Sequence, residues 1–303
     1  MIGRWWDAGM WRFFLAPSDP RWLAVFRVGV SAVALCQVWT LWPYLPQLYG
    51  NFGFIQWAVL ETAADPWLPS IGKVCLALEP LGASSTACVH GVFGAYALAV
   101  VGLGVGFMTR VSAVCAWLTH ALTVNSGYLS LYGIDTMLHV CLFYCVWMPV
   151  GTVYSIDRWR RPAPATASAA STLSVRVLQL HLCLIYFNTG LAKARGAQWW
   201  TGDALWRALM QPQFSVFDVS WIAGVAWLPV LAGWAVVVVE LGYPVLIWPR
   251  RSRALWVVAT LALHLGIAIA MGLWLFSAVM IVMTISAFGV PSLLRTTAAP
   301  RWA

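Results

Sequence analysis

Charged residues are scarce in this sequence. Only 9% of its 303 residues are Asp, Glu, Lys or Arg, whereas a soluble domain carries about 25%. Hydrophobic residues make up 61% of the chain, and a water-soluble fold of this length cannot bury so much apolar surface. Several apolar runs reach the roughly 20 residues that cross a bilayer. The composition therefore excludes a soluble globular protein and predicts an all-α integral membrane protein.

The sequence also lacks the short motifs that mark metal and nucleotide sites. It contains no C-x-x-C, H-E-x-x-H, G-x-G-x-x-G or P-loop pattern. Each of these motifs needs its residues at a fixed spacing to hold a metal ion or a phosphate group. No metal cofactor is therefore predicted. The formal charge of +8 would suit a nucleic-acid partner, but the placement of the arginines gives it another meaning.

Long apolar windows predict about eight transmembrane helices, at residues 22–43, 88–107, 111–132, 135–153, 174–193, 222–248, 254–271 and 274–291. With the N-terminus in the cytoplasm, fourteen of the 18 basic residues fall on the cytoplasmic side: Arg4, Arg12, Arg21, Arg27, Arg110, Arg158, Arg160, Arg161, Arg176, Arg250, Arg251, Arg253, Arg295 and Arg301. The other four fall outside: Lys73, Lys193, Arg195 and Arg207. This asymmetry favours cytoplasmic placement of both termini. The basic excess indicates orientation and contact with membrane lipid, and no nucleic-acid partner is expected.

The predicted organisation is a single transmembrane domain over residues 1–303 in the bacterial cytoplasmic (inner) membrane. Residues 1–20, rich in Trp and Arg, predict an interfacial helix, and residues 44–87 an external loop. Residues 156–173, which include an Ala/Pro/Ser tract, predict a flexible cytoplasmic linker. No cleavable signal is expected, because the first apolar run is too long for one. Cys75 and Cys88 belong to or border the external loop. Two alternatives remain there, a disulfide between them or two free thiols.

Few ionisable side chains fall within the predicted spans, and each is costly in a bilayer, which makes it a functional candidate. They are His120, His139, His181, Glu240 and His264, with Lys193 at a span edge. Near mid-span, Glu240 must be protonated or paired with another helix, and its alternative role is a packing hydrogen bond. His264 has the same two interpretations. Asp135 and His139 lie four residues apart and share a helix face, so they either cap the helix or bind a ligand.

Lys193 is one of only two lysines, with Lys73, among the 18 basic residues. A lysine that loses its water can release a proton and act as a base, whereas an arginine stays charged. Lys193 ends an apolar helix on the predicted external side, and helical spacing puts Tyr186 and Thr189 on its face. Trp199 follows at the membrane interface, and Asp203 is close enough in sequence to bond the ammonium. The sequence predicts a base here; the alternative is a snorkelling anchor.

Five stretches in a fixed order carry a family resemblance. They are RWLAVFRVGVSAVAL, LYGNFGFI, YLSLYGIDTMLHVCLFYCVWMPVGTVYSID, YFNTGLAKARGAQWWTGDAL and HLGIAIAMGLWLFSAVM. The chain resembles the HTTM (horizontally transferred transmembrane) family, which is related to the membrane domain of vitamin K-dependent gamma-carboxylase. In that enzyme the lysine of a G-x-x-K signature is the base thought to deprotonate the hydroquinone. Lys193 matches this lysine, and His264 matches a histidine of the family pattern.

The resemblance implies an enzyme of the carboxylase/lyase or quinone-linked oxidoreductase type, with a reduced, vitamin K-like quinone as cofactor and an exported peptide or a lipid as substrate. The expected catalytic residues are Lys193, His264 and Glu240. The expected cofactor-binding residues are Tyr186, Trp199, Asp135, His139 and Asn125. One departure puts glutamate carboxylation itself in doubt, since Asn125-Ser126 stands where the carboxylase has Asn-His.

A second interpretation is non-enzymatic. SdpB-like relatives are linked to the maturation of exported peptide toxins, so the chain would then be a maturation or immunity partner whose signature residues hold packing or dock a peptide. A transporter is disfavoured, because the sequence shows no inverted repeat and no relay of intramembrane charges.

Overall fold

The computed structural model describes residues 2–63, 65, 67–127, 131–162, 166–214 and 216–289. Over these residues the regular structure is helical, and no β-strand occurs. The predicted all-α class is confirmed. Parts of the predicted spans and of the linker (128–130, 290–291 and 163–165), together with Arg295 and Arg301, lie outside the described residues.

The α-helices of the described part follow one another with short connections. They are α1 Ile2–Leu15, α2 Arg21–Leu41, α3 Leu45–Tyr49, α4 Trp57–Ala63, α5 Ile71–Leu78, α6 Ser85–Val105, α7 Thr109–Ser126, α8 Gly133–Trp147, α9 Ile156–Arg160, α10 Ala169–Arg195, α11 Ala197–Trp200, α12 Asp203–Met210, α13 Trp227–Leu246, α14 Arg250–Met271 and α15 Trp274–Phe288. Two of the long helices stop at glycines in the left-handed conformation, α6 before Gly106 (φ 70°) and α14 before Gly272 (φ 67°). Glycine adopts this conformation without the steric cost that other residues meet there.

Five helical segments of the described chain are long and apolar enough to cross a membrane. They are Arg21–Tyr49 (α2 to α3), α6, α10, α13 and α14. The other three predicted spans coincide with α7, which is less apolar, and with α8 and α15, which have 15 residues each. At 1.5 Å per residue such a helix is about 22 Å long, shorter than a hydrocarbon core of about 30 Å. The count of eight spans therefore stays a prediction.

The described parts of the connecting segments contain short helices that the sequence analysis did not predict. Residues 44–87 contain α3, α4 and α5, and a disulfide joins Cys75 to Cys88 with the Cα atoms 5.6 Å apart. In the expected linker 156–173, residues 156–160 form α9 and α10 already begins at Ala169. The backbones of Ser18 and Ser168 exchange two hydrogen bonds, and Ser168 Oγ accepts from Ser171 N at 3.1 Å. Such serine capping ahead of an Ala-rich run favours helix over coil.

The chain divides into two compact units, residues 1–174 (unit 1) and 175–303 (unit 2), with α10 running across the boundary. In unit 1, α6 packs against α2 and α7, and α8 packs against α7 and α2. Arg27 of α2 is completely buried there and donates to the carbonyls of Val150 (2.9 Å), Val153 (3.4 Å) and Tyr154. These bonds fix the turn that follows α8.

In unit 2, α14 packs against α13 and α15, while the short α11 and α12 pack on α13. Its core is aromatic. The buried Tyr243 ring lies 4.2 Å from Tyr186 and 5.9 Å from Phe288 between centroids. Unit 2 also contains Lys193 and Glu240, the first residues of the candidate site described below.

Candidate active site

A partly buried ion pair joins α10 to α13. Nζ of Lys193, in the last turn of α10, lies 2.9 and 2.7 Å from Oε1 and Oε2 of Glu240 in the middle of α13. The Glu240 side chain is 8% exposed and that of Lys193 is 21% exposed. A carboxylate so far from water must be neutral or paired, and this one is paired with the cation of another helix. The Lys193 side chain remains partly exposed at this pair.

Gly190 explains how the two helices come close enough. It precedes Lys193 by three residues and lies on the same face of α10. A Cβ added at Gly190 would lie 2.9 Å from both Glu240 Cβ and Leu241 N, so any larger residue would push α13 away. Small residues at helix crossings permit this approach in membrane proteins. The G-x-x-K spacing therefore has a geometric explanation. The glycine permits the close approach of α13, and the lysine on the same face pairs with the Glu240 carboxylate.

An aromatic ring contacts the other side of the ammonium. The Trp199 centroid is 5.2 Å from Lys193 Nζ, within range of a cation–π interaction. The α11 segment that carries Trp199 is fixed on α13, because Trp234 Nε1 donates to Trp200 O at 3.0 Å. Gly233 also lets the segment approach, since a Cβ there would lie 2.6 Å from Trp199 O.

A second polar pair lies in the same unit. The Tyr186 hydroxyl is 2.7 Å from His264 Nε2, which links α10 to α14. His264 is 3% exposed, and its Nδ1 is buried without a hydrogen-bond partner in the described part of the chain. A neutral imidazole has one N–H donor and one bare nitrogen, so the Tyr186 bond determines what Nδ1 can offer. An unpartnered buried nitrogen is costly and marks a position that can bind a ligand.

Two sequence-predicted neighbours of Lys193 lie elsewhere. Thr189 is exposed and returns its hydroxyl to Ile185 O of its own helix at 3.0 Å, a bond that serine and threonine commonly make. Asp203 accepts from Thr201 Oγ1 at 2.8 Å in the first turn of α12. The carboxylate that meets the ammonium is that of Glu240, 47 residues away in sequence.

The remaining predicted site residues belong to unit 1. Asp135 accepts from Gln37 Nε2 at 2.7 Å and from Tyr132 N at 3.1 Å, so it caps α8. Nδ1 of His139 lies 3.2 Å from Nδ1 of His120, so one proton is shared between the two rings.

Asn125 Nδ2 donates to the carbonyl of Pro69 at 2.9 Å. All three predicted residues thus already have partners within their own unit. The structure divides the predicted site residues into two sets, with Lys193, Glu240, His264, Tyr186 and Trp199 in unit 2.

Sequence reasoning missed several residues of these clusters. Gln37 is an amide within an apolar span, and this position signals a buried polar partner. His120 stands out in the sequence only as an ionisable residue within a span, whereas the structure places it against His139. Gly190 carried a usable signal, because it lies one helical turn before Lys193. Gly233 carried none, since its contact depends on the path of the chain between α11 and α13.

Comparison with known families agrees with this architecture. The model of the HTTM domain matches residues 15–290, which span both units. No curated protein and no solved structure matches the chain. Since the family match covers most of the sequence and five helices are long enough to span a bilayer, the chain is a multi-pass membrane protein. It belongs to the HTTM domain family, a membrane-domain family linked to carboxylase-like proteins.

Proposed function

We propose that unit 2 holds the active site of an integral-membrane enzyme in which Lys193 is the base, with Glu240 and His264 as its supporting catalytic residues. The observation that carries the proposal is the ion pair in which Lys193 Nζ lies 2.9 and 2.7 Å from the two Glu240 oxygens. The Lys193 side chain in this pair remains 21% exposed. A charge pair that serves only packing needs no exposed surface on its cation. This one keeps the nitrogen reachable beside an aromatic ring.

The residues suggest how a proton moves. Lys193 accepts a proton only after it has given one up, and Glu240 lies within hydrogen-bond distance to take it. The two groups are already in hydrogen-bond contact, so this transfer needs no movement of either helix. Lys193 then removes a proton from a substrate hydroxyl placed at its exposed side. Tyr186 holds His264 so that Nδ1 is available to the same substrate.

A reduced, vitamin K-like quinone fits these residues as the cofactor. Its flat ring suits the face of Trp199, and its two hydroxyl groups suit a base and a buried nitrogen without a partner, which Lys193 and His264 provide. When bound, such a quinone supplies the reducing equivalents for an oxygen-dependent reaction. The substrate proposed is an exported peptide or a lipid, and the reaction is of the carboxylase/lyase or quinone-linked oxidoreductase type.

Cofactor binding by unit 1 is a separate proposal. Asp135, His139 and Asn125 are polar groups among apolar helices, but each has a partner within the unit. A cofactor held by them must replace those bonds. A fall in quinone affinity in His139→Ala would support this role, and unchanged affinity would exclude cofactor binding by these residues of unit 1.

We also propose eight transmembrane helices with both termini in the cytoplasm of a bacterium, which puts Lys193 outside. The Cys75–Cys88 disulfide supports this orientation, because disulfides persist on the oxidising side of a membrane. Single cysteines introduced at Arg195 and Arg161 test it. An impermeant maleimide should label position 195 and not position 161 in intact cells, and the reverse pattern would invert the topology.

The decisive experiment replaces Lys193 by Ala and by Arg. Purified protein in lipid nanodiscs is given a reduced quinone and oxygen, and oxidised quinone products are measured by chromatography. Both variants should lose at least about 100-fold in rate, since general-base contributions are about 10² to 10⁴. Arg195→Ala is the matched control, because it removes an exposed cation two residues away and should retain activity. Full activity of Lys193→Arg would show that the lysine is an anchor.

The alternative function is that of a non-enzymatic maturation or immunity partner for an exported peptide. The same ion pair favours this alternative in one respect, because a pair beside the close crossing at Gly190 also holds α10 against α13. On this reading, wild-type protein turns over no quinone, and Lys193→Arg supports the peptide-linked phenotype as well as the wild type does.

A further inference from the structure

We propose that a pocket between the start of α7 and the end of α9 in unit 1 binds the phosphate of an anionic phospholipid. Its walls include Arg110 from α7 and Arg160 and Arg161 from α9 and its C-terminus. Met108 and Val111 supply apolar wall beside them. This site is distinct from the residues proposed for catalysis and does not depend on that function.

The pocket carries a net positive charge, and its one carboxylate is hydrogen-bonded to the start of α7. Asp157 accepts from Met108 N at 2.8 Å and from Thr109 N and Thr109 Oγ1 at 2.7 Å each. Three arginines against one carboxylate leave a net charge of 3 − 1 = +2. In the described part of the chain no ion pair joins any of these arginines to a carboxylate. Guanidinium groups bind phosphate oxygens through paired N–H donors.

Asp157 also shapes the pocket. Its three hydrogen bonds tie α9 to the first turn of α7, so arginines that are 50 residues apart in sequence line one cavity. The Arg160 guanidinium lies 5.8 Å from the centroid of the Phe107 ring, which restrains its position. The pocket is therefore a built arrangement of cations and differs from a run of solvated arginines on one helix.

The surroundings favour a lipid over free phosphate. α6, a candidate membrane span, ends at Val105, and α7 begins at Thr109, so the pocket lies where an apolar helix meets polar chain. Met108 and Val111 are each 52% exposed, which leaves apolar surface beside the cations for an acyl chain. Trp159 is 81% exposed on α9, and exposed tryptophan is typical of the bilayer interface.

Lipid binding to the full-length protein tests the proposal. Native mass spectrometry in mild detergent would titrate phosphatidylglycerol, phosphatidylcholine and inorganic phosphate against the wild type, Arg160→Gln, and Arg160→Gln/Arg161→Gln. Arg158→Gln is the matched control, because it removes the same charge from α9 at a residue that does not line the pocket. Circular dichroism checks that each variant retains its helices.

We expect the wild type to prefer phosphatidylglycerol to phosphatidylcholine. Each pocket arginine should contribute about 5-fold, so the double variant should bind about 25-fold more weakly. Arg158→Gln should bind at least twice as tightly as Arg160→Gln. Equal loss in these two variants would mean that net charge alone attracts lipid, and would overturn the site. Displacement of the lipid by millimolar inorganic phosphate would assign the pocket to free phosphate instead.

Discussion

The two units each bury a cation, and they do so in different ways. In unit 1, Arg27 has no exposed surface, and its hydrogen-bond partners among the described residues are backbone carbonyls. In unit 2, Lys193 keeps an exposed face and meets the Glu240 carboxylate. A backbone carbonyl does not take up a proton from its partner, and an arginine does not release one. A carboxylate can accept a proton, and a lysine can release one. The partner therefore distinguishes a structural cation from one able to do chemistry.

The largest effect on stability is expected at Arg27. Arg27→Met leaves the carbonyls of Val150, Val153 and Tyr154 buried without this donor, and we expect the free energy of unfolding to fall by about 4 kcal/mol. Arg21→Met is the control on the same helix, because the Arg21 side chain is 66% exposed, and it should change stability by less than about 0.5 kcal/mol. Denaturation in mild detergent measures both. A loss at Arg27 no larger than that at Arg21 would contradict its role.

The ion pair of unit 2 should behave as a replaceable pair. Lys193→Met leaves Glu240 buried alone, and we expect a loss of about 2 kcal/mol, reduced from the fully buried case because the lysine is partly exposed. Lys193→Met combined with Glu240→Leu should recover most of this loss, because no charge then remains in the core. A double variant that loses the sum of both single effects would mean that the two residues are not coupled.

Gly190 tests the approach of α10 to α13. Gly190→Ala puts a methyl group within 2.9 Å of Glu240 Cβ, and we expect a loss of about 1 to 2 kcal/mol from the forced shift. Gly266→Ala, in α14 of the same unit, meets no atom within 4 Å. It should be neutral or stabilising by about 0.5 kcal/mol, since alanine favours helix. Thermal unfolding of the two variants side by side measures the difference, and equal changes would refute the close crossing.

The smallest effect is a dependence on pH at Asp157. Burial raises the pKa of this carboxyl, but the hydrogen bonds donated by Thr109 and Met108, with the charge of Arg160, outweigh it and leave the pKa below its usual value. A lowered folded pKa means that the stabilisation is present at neutral pH. It is lost as the pH falls below about 4 and through the folded pKa.

Asp157→Ala should therefore cost about 1 kcal/mol at pH 7, the usual value for a helix cap. The stability difference between the wild type and the variant, recorded from pH 7 to pH 3, should begin to shrink at the acid end. A difference that stays constant across this range would mean that the carboxylate charge plays no part.

Much of the fold followed from composition and periodicity. Long apolar runs with few charges predicted helices, and helices occur where those runs lie, because a backbone in lipid must satisfy its own hydrogen bonds. Which runs are long enough to span was harder to predict. Hydropathy windows extended the fourth and eighth spans to 153 and 291, whereas α8 ends at Trp147 and α15 at Phe288. An apolar window cannot register the turn that Arg27 holds after α8.

Residue type alone singled out three residues that the structure places in unit 2 with polar partners. Lys193, Glu240 and His264 are ionisable groups in apolar helices, and the cost of burying a charge makes such residues conspicuous in any sequence. Tertiary structure decided their partners, placing Glu240 with Lys193, Tyr186 with His264 and His120 with His139. These pairs join different helices, and helical periodicity describes one helix at a time. The sequence determined by itself which groups need a partner, because burial cost is a property of the residue. Only the packing of α10, α13 and α14 decided which group becomes the partner. The distance between helices depends on side-chain volume at their crossing, and the absence of a Cβ at Gly190 is what permits the close approach here.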